Sequence, residues 1–426
     1  MSRGRGHVLT ARWVFPVSSP PIADGAVAIQ EGRITALGSS AVVLALWSEA
    51  SRLHLPETAL LPGLVNCHTH LELSGLSLPM ADGPFAAWLV ALIEQRRLTP
   101  VTAQAAAALA GARQLIQSGT TCVGEVSSAG QSLAALRSVG LRGVVYREIL
   151  GLAPEEAEAR RDAAEAELRH MQEAASGGLL RVGLSPHSPY SLSEELFRAC
   201  GTIFHRSRLP CCIHAAESAE EVEFLATGQG AIADRLYPAV GCFIPPPRRR
   251  ARSPIEYLDG VGALMWRPLL IHAVHVDGTD IRRMVGRGVS VAHCPRSNAR
   301  LSDRMASVAD FLSQGIPVGL GTDSLASVPS LDLWDEMRAA GQAGHLSPTQ
   351  ILEMATLGGA RALGLADQVG SLSVGKRADL IAVSARVVTA SDPVGSVVAG
   401  TRGEDVILSM VEGEVRHHRL MEAPCA

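Results

Sequence analysis

The chain has 426 residues, of which 47% are hydrophobic and 19% charged, enough apolar sequence for a large core with an appended domain. Its 38 basic side chains nearly balance its 42 acidic ones, and the net charge of −4 argues against nucleic acid as a partner. The sequence has no signal-peptide pattern and no run of about 18 apolar residues, so we expect a cytoplasmic protein that binds no membrane. The eight cysteines suit reduced, buried thiols better than a disulfide framework.

Both ends of the chain carry strand patterns. Residues 8–60 contain short strands with a hairpin around Glu31-Gly32, and strands return at residues 379–383 and 406–411 before a turn at Glu412-Gly413. We therefore expect residues 1–60 and 365–426 to pair into one small β-sandwich domain.

Between these ends, apolar runs alternate with helical patterns, as in parallel βα units. The eight runs cover residues 60–66, 120–126, 142–149, 180–185, 209–213, 268–271, 289–292 and 317–320. They predict an α/β fold in which residues 61–364 form a (β/α)8 (TIM) barrel. The active site of such a barrel lies at the C-terminal ends of its strands, so polar groups at those ends are the functional candidates.

Three histidines and one aspartate stand at the ends of predicted strands. His68 and His70 lie two residues apart after the first strand, so their side chains point to the same side. His214 ends the fifth strand, and Asp323 ends the eighth. Imidazole and carboxylate are ligands that zinc prefers, and this set leaves a position for water. The sequence predicts a hydrolytic metal site.

Glu217, three residues after His214, has the position and chemistry of a proton carrier between water and substrate. The alternative is an ordinary acidic residue in the first turn of a helix. His272 and His275 follow the sixth strand, and we favour His272 as the one that faces the reacting water.

His187, at the end of the fourth strand, could contact substrate or bind a second metal ion. Two-metal barrel hydrolases usually bridge their ions with a carboxylated lysine, and the only lysine here, Lys376, lies outside the barrel. We therefore predict one metal ion and assign His187 to the substrate. Residues 241–254, with three consecutive prolines and a run of arginines, are predicted to form a loop, either a solvated connector or a lid over an anionic substrate.

Taken together, the motifs PGLVNCHTH, HAAE, HCPRSN and GTD, with the histidine of the sixth strand, resemble the amidohydrolase superfamily, and more narrowly its adenosine-type deaminases and triazine chlorohydrolases. The segment VGSLSVGKRADLIAV, residues 369–383, resembles the segment by which that family's chain returns to its β domain. The resemblance implies one divalent ion, zinc or iron, on His68, His70, His214 and Asp323. It also implies that Glu217, His272 and Asp323 transfer protons during hydrolytic deamination of a ring.

The resemblance further suggests a substrate. Leu71-Glu72-Leu73-Ser74 is more similar to aminodeoxyfutalosine deaminases of menaquinone biosynthesis than to methylthioadenosine or S-adenosylhomocysteine deaminases. Glu72 would then bind ribose hydroxyls, Arg147 a distal carboxylate, and Trp88 would wall the pocket. Each has a structural alternative: a buried acid for Glu72, an ion pair with Glu148 or Glu125 for Arg147, and core packing for Trp88.

Other functions remain open at this stage. They are deamination of S-adenosylhomocysteine, methylthioadenosine or guanine, dechlorination of a ring, and a non-catalytic scaffold, which the intact ligand set disfavours. A homodimer is compatible with the sequence.

Overall fold

The computed structural model describes residues 6–76, 78, 84–242, 250–302, 304–342 and 346–419. The strands, in chain order, are β1 (His7–Val14), β2 (Ile22–Gln30), β3 (Arg33–Ser39), β4 (Ser51–Pro62), β5 (Leu64–Thr69), β6 (Thr120–Ser127), β7 (Arg142–Ile149), β8 (Leu180–Pro186), β9 (Cys212–Ala215), β10 (Leu269–His272), β11 (Ser290–His293), β12 (Val318–Leu320), β13 (Leu380–Ser384), β14 (Val406–Val411) and β15 (Glu414–His418). The α-helices are α1 (Ser40–Leu46), α2 (Phe85–Leu98), α3 (Val101–Gln117), α4 (Gln131–Val139), α5 (Ala157–Ala175), α6 (Glu194–Ser207), α7 (Ala219–Thr227), α8 (Tyr237–Ala239), α9 (Pro254–Gly260), α10 (Gly278–Arg287), α11 (Pro295–Leu301), α12 (Val308–Ser313), α13 (Leu333–Gln342), α14 (Pro348–Met354), α15 (Leu357–Ala362) and α16 (Pro393–Gly400).

The predicted barrel is present. Strands β5 to β8 form one parallel four-stranded sheet in chain order, and β9 to β12 form another. Isolated parallel bridges join Leu184 to Cys211 and Thr69 to Asp323, so the two sheets meet at both seams. All residues of β5 and β6 are buried, as expected for parallel strands covered on both faces, which explains their continuous apolar sequence.

The first barrel strand begins later than the sequence indicated. The apolar run 60–66 is split, because Leu60 and Leu61 end β4, which pairs with β1 and β13 of the small domain, whereas the barrel strand starts at Leu64. Gly63 separates the two strands, and a Cβ atom there would lie 2.0 Å from Oγ1 of Thr121. One apolar run therefore serves two sheets, which strand periodicity alone does not reveal.

The small domain draws on both chain ends, as predicted. Its seven strands form one hydrogen-bonded sheet in the order β15-β14-β13-β4-β1-β2-β3. Both predicted hairpins form, and each turns through a Glu-Gly pair with positive φ, 52° and 71° at Glu31 and Gly32, 54° and 79° at Glu412 and Gly413.

Two further expectations from the sequence concern the Pro/Arg-rich segment and membrane-spanning helices. Residues 243–249, the centre of the Pro/Arg-rich segment, lie outside the described residues, and the structure resumes with Arg250 shortly before α9. Within the part of the chain that is described, no helix is both long and apolar enough to cross a bilayer.

Candidate metal centre and active site

A cavity of about 800 Å³ opens at the C-terminal ends of the barrel strands. This volume is typical of a site for a small molecule. The groups from the strand ends that line it are His70, Glu148, His187, His214, Glu217, His272, Asp323 and Ser324. Helix α2 contributes a mainly apolar wall, with Phe85, Trp88, Leu89, Leu92, Ile93, Arg96 and Arg97.

The four predicted metal ligands fall into two adjacent groups that share His68. Ligand atoms of His68, His70 and His214 all lie within 4.8 Å of one another, and His68 also belongs to a second such group with His272 and Asp323. The two Nε2 atoms of His70 and His214 are 3.3 Å apart, and Nε2 of His68 is 3.5 Å from Oδ1 of Asp323. Donor atoms that crowd together in this way are suited to surround one cation.

His68 provides a separate indication that a cation belongs here. Its side chain is 1% exposed, and among the described residues neither ring nitrogen has a hydrogen-bond partner. An unsatisfied buried polar group is rare and requires an explanation, for which a metal ion suffices. The donor set, three imidazoles and a carboxylate, suits zinc or another borderline divalent ion.

Neighbouring groups orient these ligands. Nδ1 of His214 lies 3.2 Å from the carbonyl oxygen of His187, which leaves Nε2 directed at the metal position. Asp323 accepts hydrogen bonds through Oδ2 from the hydroxyls of Ser297 (2.6 Å) and Ser327 (2.9 Å), and its Oδ1 faces His68. Such outer contacts fix ligand geometry in metal sites.

The protonation states also suit metal binding, which requires neutral imidazoles and an ionised carboxylate. Burial lowers the pKa of His68 to about 3 and lowers the pKa of His214 well below its ordinary value. Burial opposes ionisation of Asp323, but its contact with His68 outweighs this and holds the pKa of the carboxyl below its usual range.

Two site residues have a backbone conformation that is uncommon for residues other than glycine. His272 is the last residue of β10 and Asp323 lies shortly after β12, and their φ values are 72° and 62°. Left-handed conformations cost free energy and cluster at functional sites, where the surrounding structure enforces them. The strained backbone here belongs to His272 and Asp323, whose side chains both line the cavity.

Glu217 and His272 form a second pair beside the ligands. Oε1 of Glu217 is 3.5 Å from Nε2 of His272, and Nδ1 of His272 is 2.8 Å from Oδ1 of Asn298. Burial, and then the charge of Asp323, raise the pKa of Glu217 well above its usual value, while burial lowers the pKa of His272. His275 does not line the cavity, so the structure places His272 at the site, as favoured from the sequence.

The structure does not place Glu72 in the cavity, contrary to expectation. Its side chain is buried, and the carboxylate accepts hydrogen bonds from the start of α4 and the loop before it. The donors are the hydroxyl of Ser127 (2.5 Å) and the backbone N–H groups of Ser128, Ala129, Gln131 and Ser132 (3.1 to 3.4 Å). A carboxylate at a helix N-terminus is stabilising, and this one has no capacity left for a sugar.

Arg147 is also turned away from the cavity. It pairs with Glu167 of α5 and donates to the backbone oxygen of Glu148. Successive residues of a strand face opposite sides, so Tyr146 and Glu148 point into the barrel and Arg147 points out. The prediction of a cavity contact was wrong for this reason, and the alternation of β7 could have identified Glu148 instead.

Trp88 and His187 do line the cavity, where the sequence expected them. Glu148 and Arg96, which sequence analysis did not select, also line it, and Nη1 of Arg96 lies 3.8 Å from Oε2 of Glu148. Burial opposes ionisation of Glu148, but electrostatic interactions with His187, His70 and Arg96, with the hydrogen bond from Ser128, hold the pKa of its carboxyl below the usual value. No motif marks Arg96, because α2 reaches the cavity from a connection between strands.

A histidine-rich metal centre at the strand ends of a (β/α)8 barrel defines a metal-dependent hydrolase. The model of the amidohydrolase family matches residues 59–416, and the chain belongs to this family. It is a hydrolase that acts on carbon–nitrogen bonds, of the deaminase type.

Three similar proteins each cover nearly the whole chain. The 5-methylthioadenosine/S-adenosylhomocysteine deaminase of Syntrophobacter fumaroxidans is 31% identical over 409 residues, which cover 92% of this chain and 87% of that protein. A zinc-bound adenosine deaminase from Xanthomonas campestris has a TM-score of 0.83 at 25% identity, covering 98% of this chain and 94% of its own. Helicobacter pylori aminofutalosine deaminase in complex with methylthio-coformycin has a TM-score of 0.85 at 22% identity, covering 96% and 99%, a likeness of fold.

Proposed function

We propose that this protein is a zinc-dependent deaminase that releases ammonia from the adenine ring of a nucleoside modified on its ribose. The observation that carries the proposal is the convergence of His68, His70, His214 and Asp323 beside the Glu217–His272 pair. The 31% identical methylthioadenosine/S-adenosylhomocysteine deaminase, which covers nearly the same length, supports the adenine ring as the reacting group.

The four ligands would hold a single zinc ion, whose chemistry is the activation of a water molecule near neutral pH. Glu217 is placed to give its proton to the ring nitrogen beside the attacked carbon and to take one back from the added hydroxyl, and the proton that His272 accepts from the water passes to the departing amine. His272, 3.5 Å away, has its Nδ1 directed at Asn298, so Nε2 is free to accept a proton from the water. Hydrolysis at this carbon then yields ammonia and the hydroxylated ring.

The cavity suits a nucleoside with a substituent larger than a hydroxyl group. Beyond the ligands, the wall from α2 is apolar at Phe85, Trp88 and Leu92, which suits a thioether or an aromatic group. A 5′-thio-substituted adenosine, such as methylthioadenosine or S-adenosylhomocysteine, is therefore the substrate we favour.

The arginines of the cavity favour a second candidate. Arg96, Arg97 and Arg160 line it and can bind a carboxylate, which both S-adenosylhomocysteine and aminodeoxyfutalosine carry. Aminodeoxyfutalosine, a menaquinone precursor, remains a candidate on this observation, although the residues that first suggested it, Glu72 and Arg147, lie elsewhere.

The test is ammonia release by the zinc-loaded full chain from methylthioadenosine, S-adenosylhomocysteine, aminodeoxyfutalosine, adenosine and guanine. We expect turnover of the 5′-modified adenine nucleosides, with about one zinc ion per chain by metal analysis. Turnover of guanine alone, or of none of the five compounds by metal-loaded protein, would contradict the proposal.

A further inference from the structure

Glu148 has the properties of a ligand-binding group that the catalytic scheme does not use. Its side chain is 5% exposed, lines the cavity, and points inward from the end of β7. Oε2 accepts a hydrogen bond from the hydroxyl of Ser128 and lies 3.8 Å from Arg96. Oε1 accepts no hydrogen bond from any described residue, so this oxygen at the cavity wall is left for a donor that enters the cavity.

His187 stands opposite that free oxygen. Its Nε2 is 3.9 Å from Oε1 of Glu148, too far for a direct hydrogen bond but the right separation for a hydroxyl group to contact both atoms. Nδ1 of His187 lies 3.0 Å and 2.9 Å from the hydroxyls of Ser188 and Ser191, which can donate to it and leave the ring proton on Nε2.

The arrangement thus offers one donor and one acceptor to the same small space. A ligand hydroxyl accepts from Nε2 of His187 and donates to Oε1 of Glu148, which satisfies all three groups. A methyl, a thioether or an aromatic edge satisfies neither protein atom and leaves both buried without a partner. An ammonium group would meet Arg96 and the metal ligands nearby, so a neutral hydroxyl is the chemistry that fits.

We propose that Glu148 and His187 bind a ribose hydroxyl of the substrate and thereby select ribonucleosides over deoxyribonucleosides. The inference rests on the proposed function, since it takes the ligand to be a nucleoside. It assigns to Glu148 the role that the sequence suggested for Glu72, whose oxygens are occupied by α4. Such an interaction selects between analogues, because the analogue that lacks the hydroxyl leaves Oε1 of Glu148 without a hydrogen-bond donor.

The test compares methylthioadenosine with its 2′-deoxy, 3′-deoxy and 2′,3′-dideoxy analogues on the zinc-loaded full chain. For the wild type we expect kcat/KM to fall about 10- to 150-fold when the bound hydroxyl is absent. Only one of the two monodeoxy analogues should show this loss, which identifies the hydroxyl. In Glu148→Gln, kcat/KM for methylthioadenosine should fall towards that of the dideoxy analogue, whose own value changes little.

Glu167→Gln is the matched control, because Glu167 is a half-exposed carboxylate on α5 outside the cavity and should leave all four values unchanged. Glu148→Asp retains the charge on a shorter side chain and should also lose the selectivity for the hydroxyl. It replaces Glu148→Gln in the test if that variant is insoluble. Equal losses on all four substrates, or a wild type indifferent to both hydroxyls, would overturn the inference. No deamination of any of the four by the wild type would instead contradict the proposed function.

Discussion

The two ends of the cavity differ in how their side chains are held. At the metal end, the candidate ligands His68, His70, His214 and Asp323 lie in the last residues of strands or shortly after them, and the barrel fixes where those ends meet. At the outer end, the lining comes mainly from α2 and from the connections after β7 and β8. The proposed metal centre therefore lies on the strand ends, whereas most of the remaining lining comes from helices and connections, the parts of a fold that vary most readily.

The largest effect is expected at the metal end, where substitution of Glu217 should slow catalysis without loss of the metal ion. Glu217→Gln keeps the shape of the side chain but removes the proton carrier, so kcat should fall by about 10² to 10⁴-fold. Metal analysis should still find about one ion per chain, because Glu217 is not among the predicted ligands. Glu223→Gln, an exposed position on α7, is the control and should behave as wild type. Near-normal turnover of Glu217→Gln would assign the proton transfer to another group.

A smaller effect is expected from the groups that orient the ligands. Ser297 donates from 2.6 Å to the oxygen of Asp323 that faces away from His68. Ser297→Ala should weaken metal affinity or activity about 10- to 100-fold, as outer-shell changes do at metal sites. A competition titration with a chelator measures the affinity, and Ser327→Ala, with its longer contact of 2.9 Å, offers a second value. Unchanged affinity in both variants would show that the barrel alone positions Asp323.

The same contrast explains what could be predicted from the sequence. The candidate metal ligands and Glu217 could be selected from the sequence because each lies at or just after the end of a predicted apolar strand, and the strand ends of a barrel converge at one rim. His68 and His70 share a side through the period of two, and the same rule, applied to β7, places Glu148 inward and Arg147 outward. That step was available from the sequence and was not taken.

The position of Glu72 and the contribution of Arg96 could not be obtained in this way. Glu72 follows β5 in a short 3-10 turn, and its partner, the start of α4, lies more than fifty residues further along the chain. Arg96 reaches the cavity only because of the path of α2 across the barrel mouth. Both depend on tertiary packing of connections, for which neither periodicity nor motif spacing provides a signal.

Outside the cavity, Glu72 should affect stability and leave substrate binding unchanged. Glu72→Gln removes the charge that accepts from the N-terminus of α4, and we expect the free energy of unfolding to fall by about 1–3 kcal/mol. Denaturant unfolding measures this change, and the KM for methylthioadenosine should stay near the wild-type value. A large rise in KM at unchanged stability would restore Glu72 as a sugar contact and count against Glu148 in that role.

The smallest effect on stability and activity is expected for Arg147, which lies on the outward face of β7. Its ion pair with Glu167 lies at the half-exposed surface of α5, so Arg147→Met should cost only about 0–1 kcal/mol of stability. Losses in kcat/KM should be slight, and equal, on aminodeoxyfutalosine, which carries a carboxylate, and on methylthioadenosine, which lacks one. Arg96→Met supplies the contrast, because Arg96 lines the cavity and a carboxylate there would lose a charged partner. If Arg147→Met lost kcat/KM on aminodeoxyfutalosine alone, and Arg96→Met lost none, Arg147 and not Arg96 would bind the carboxylate. The assignment of Arg147 to the outward face of β7 would then be wrong.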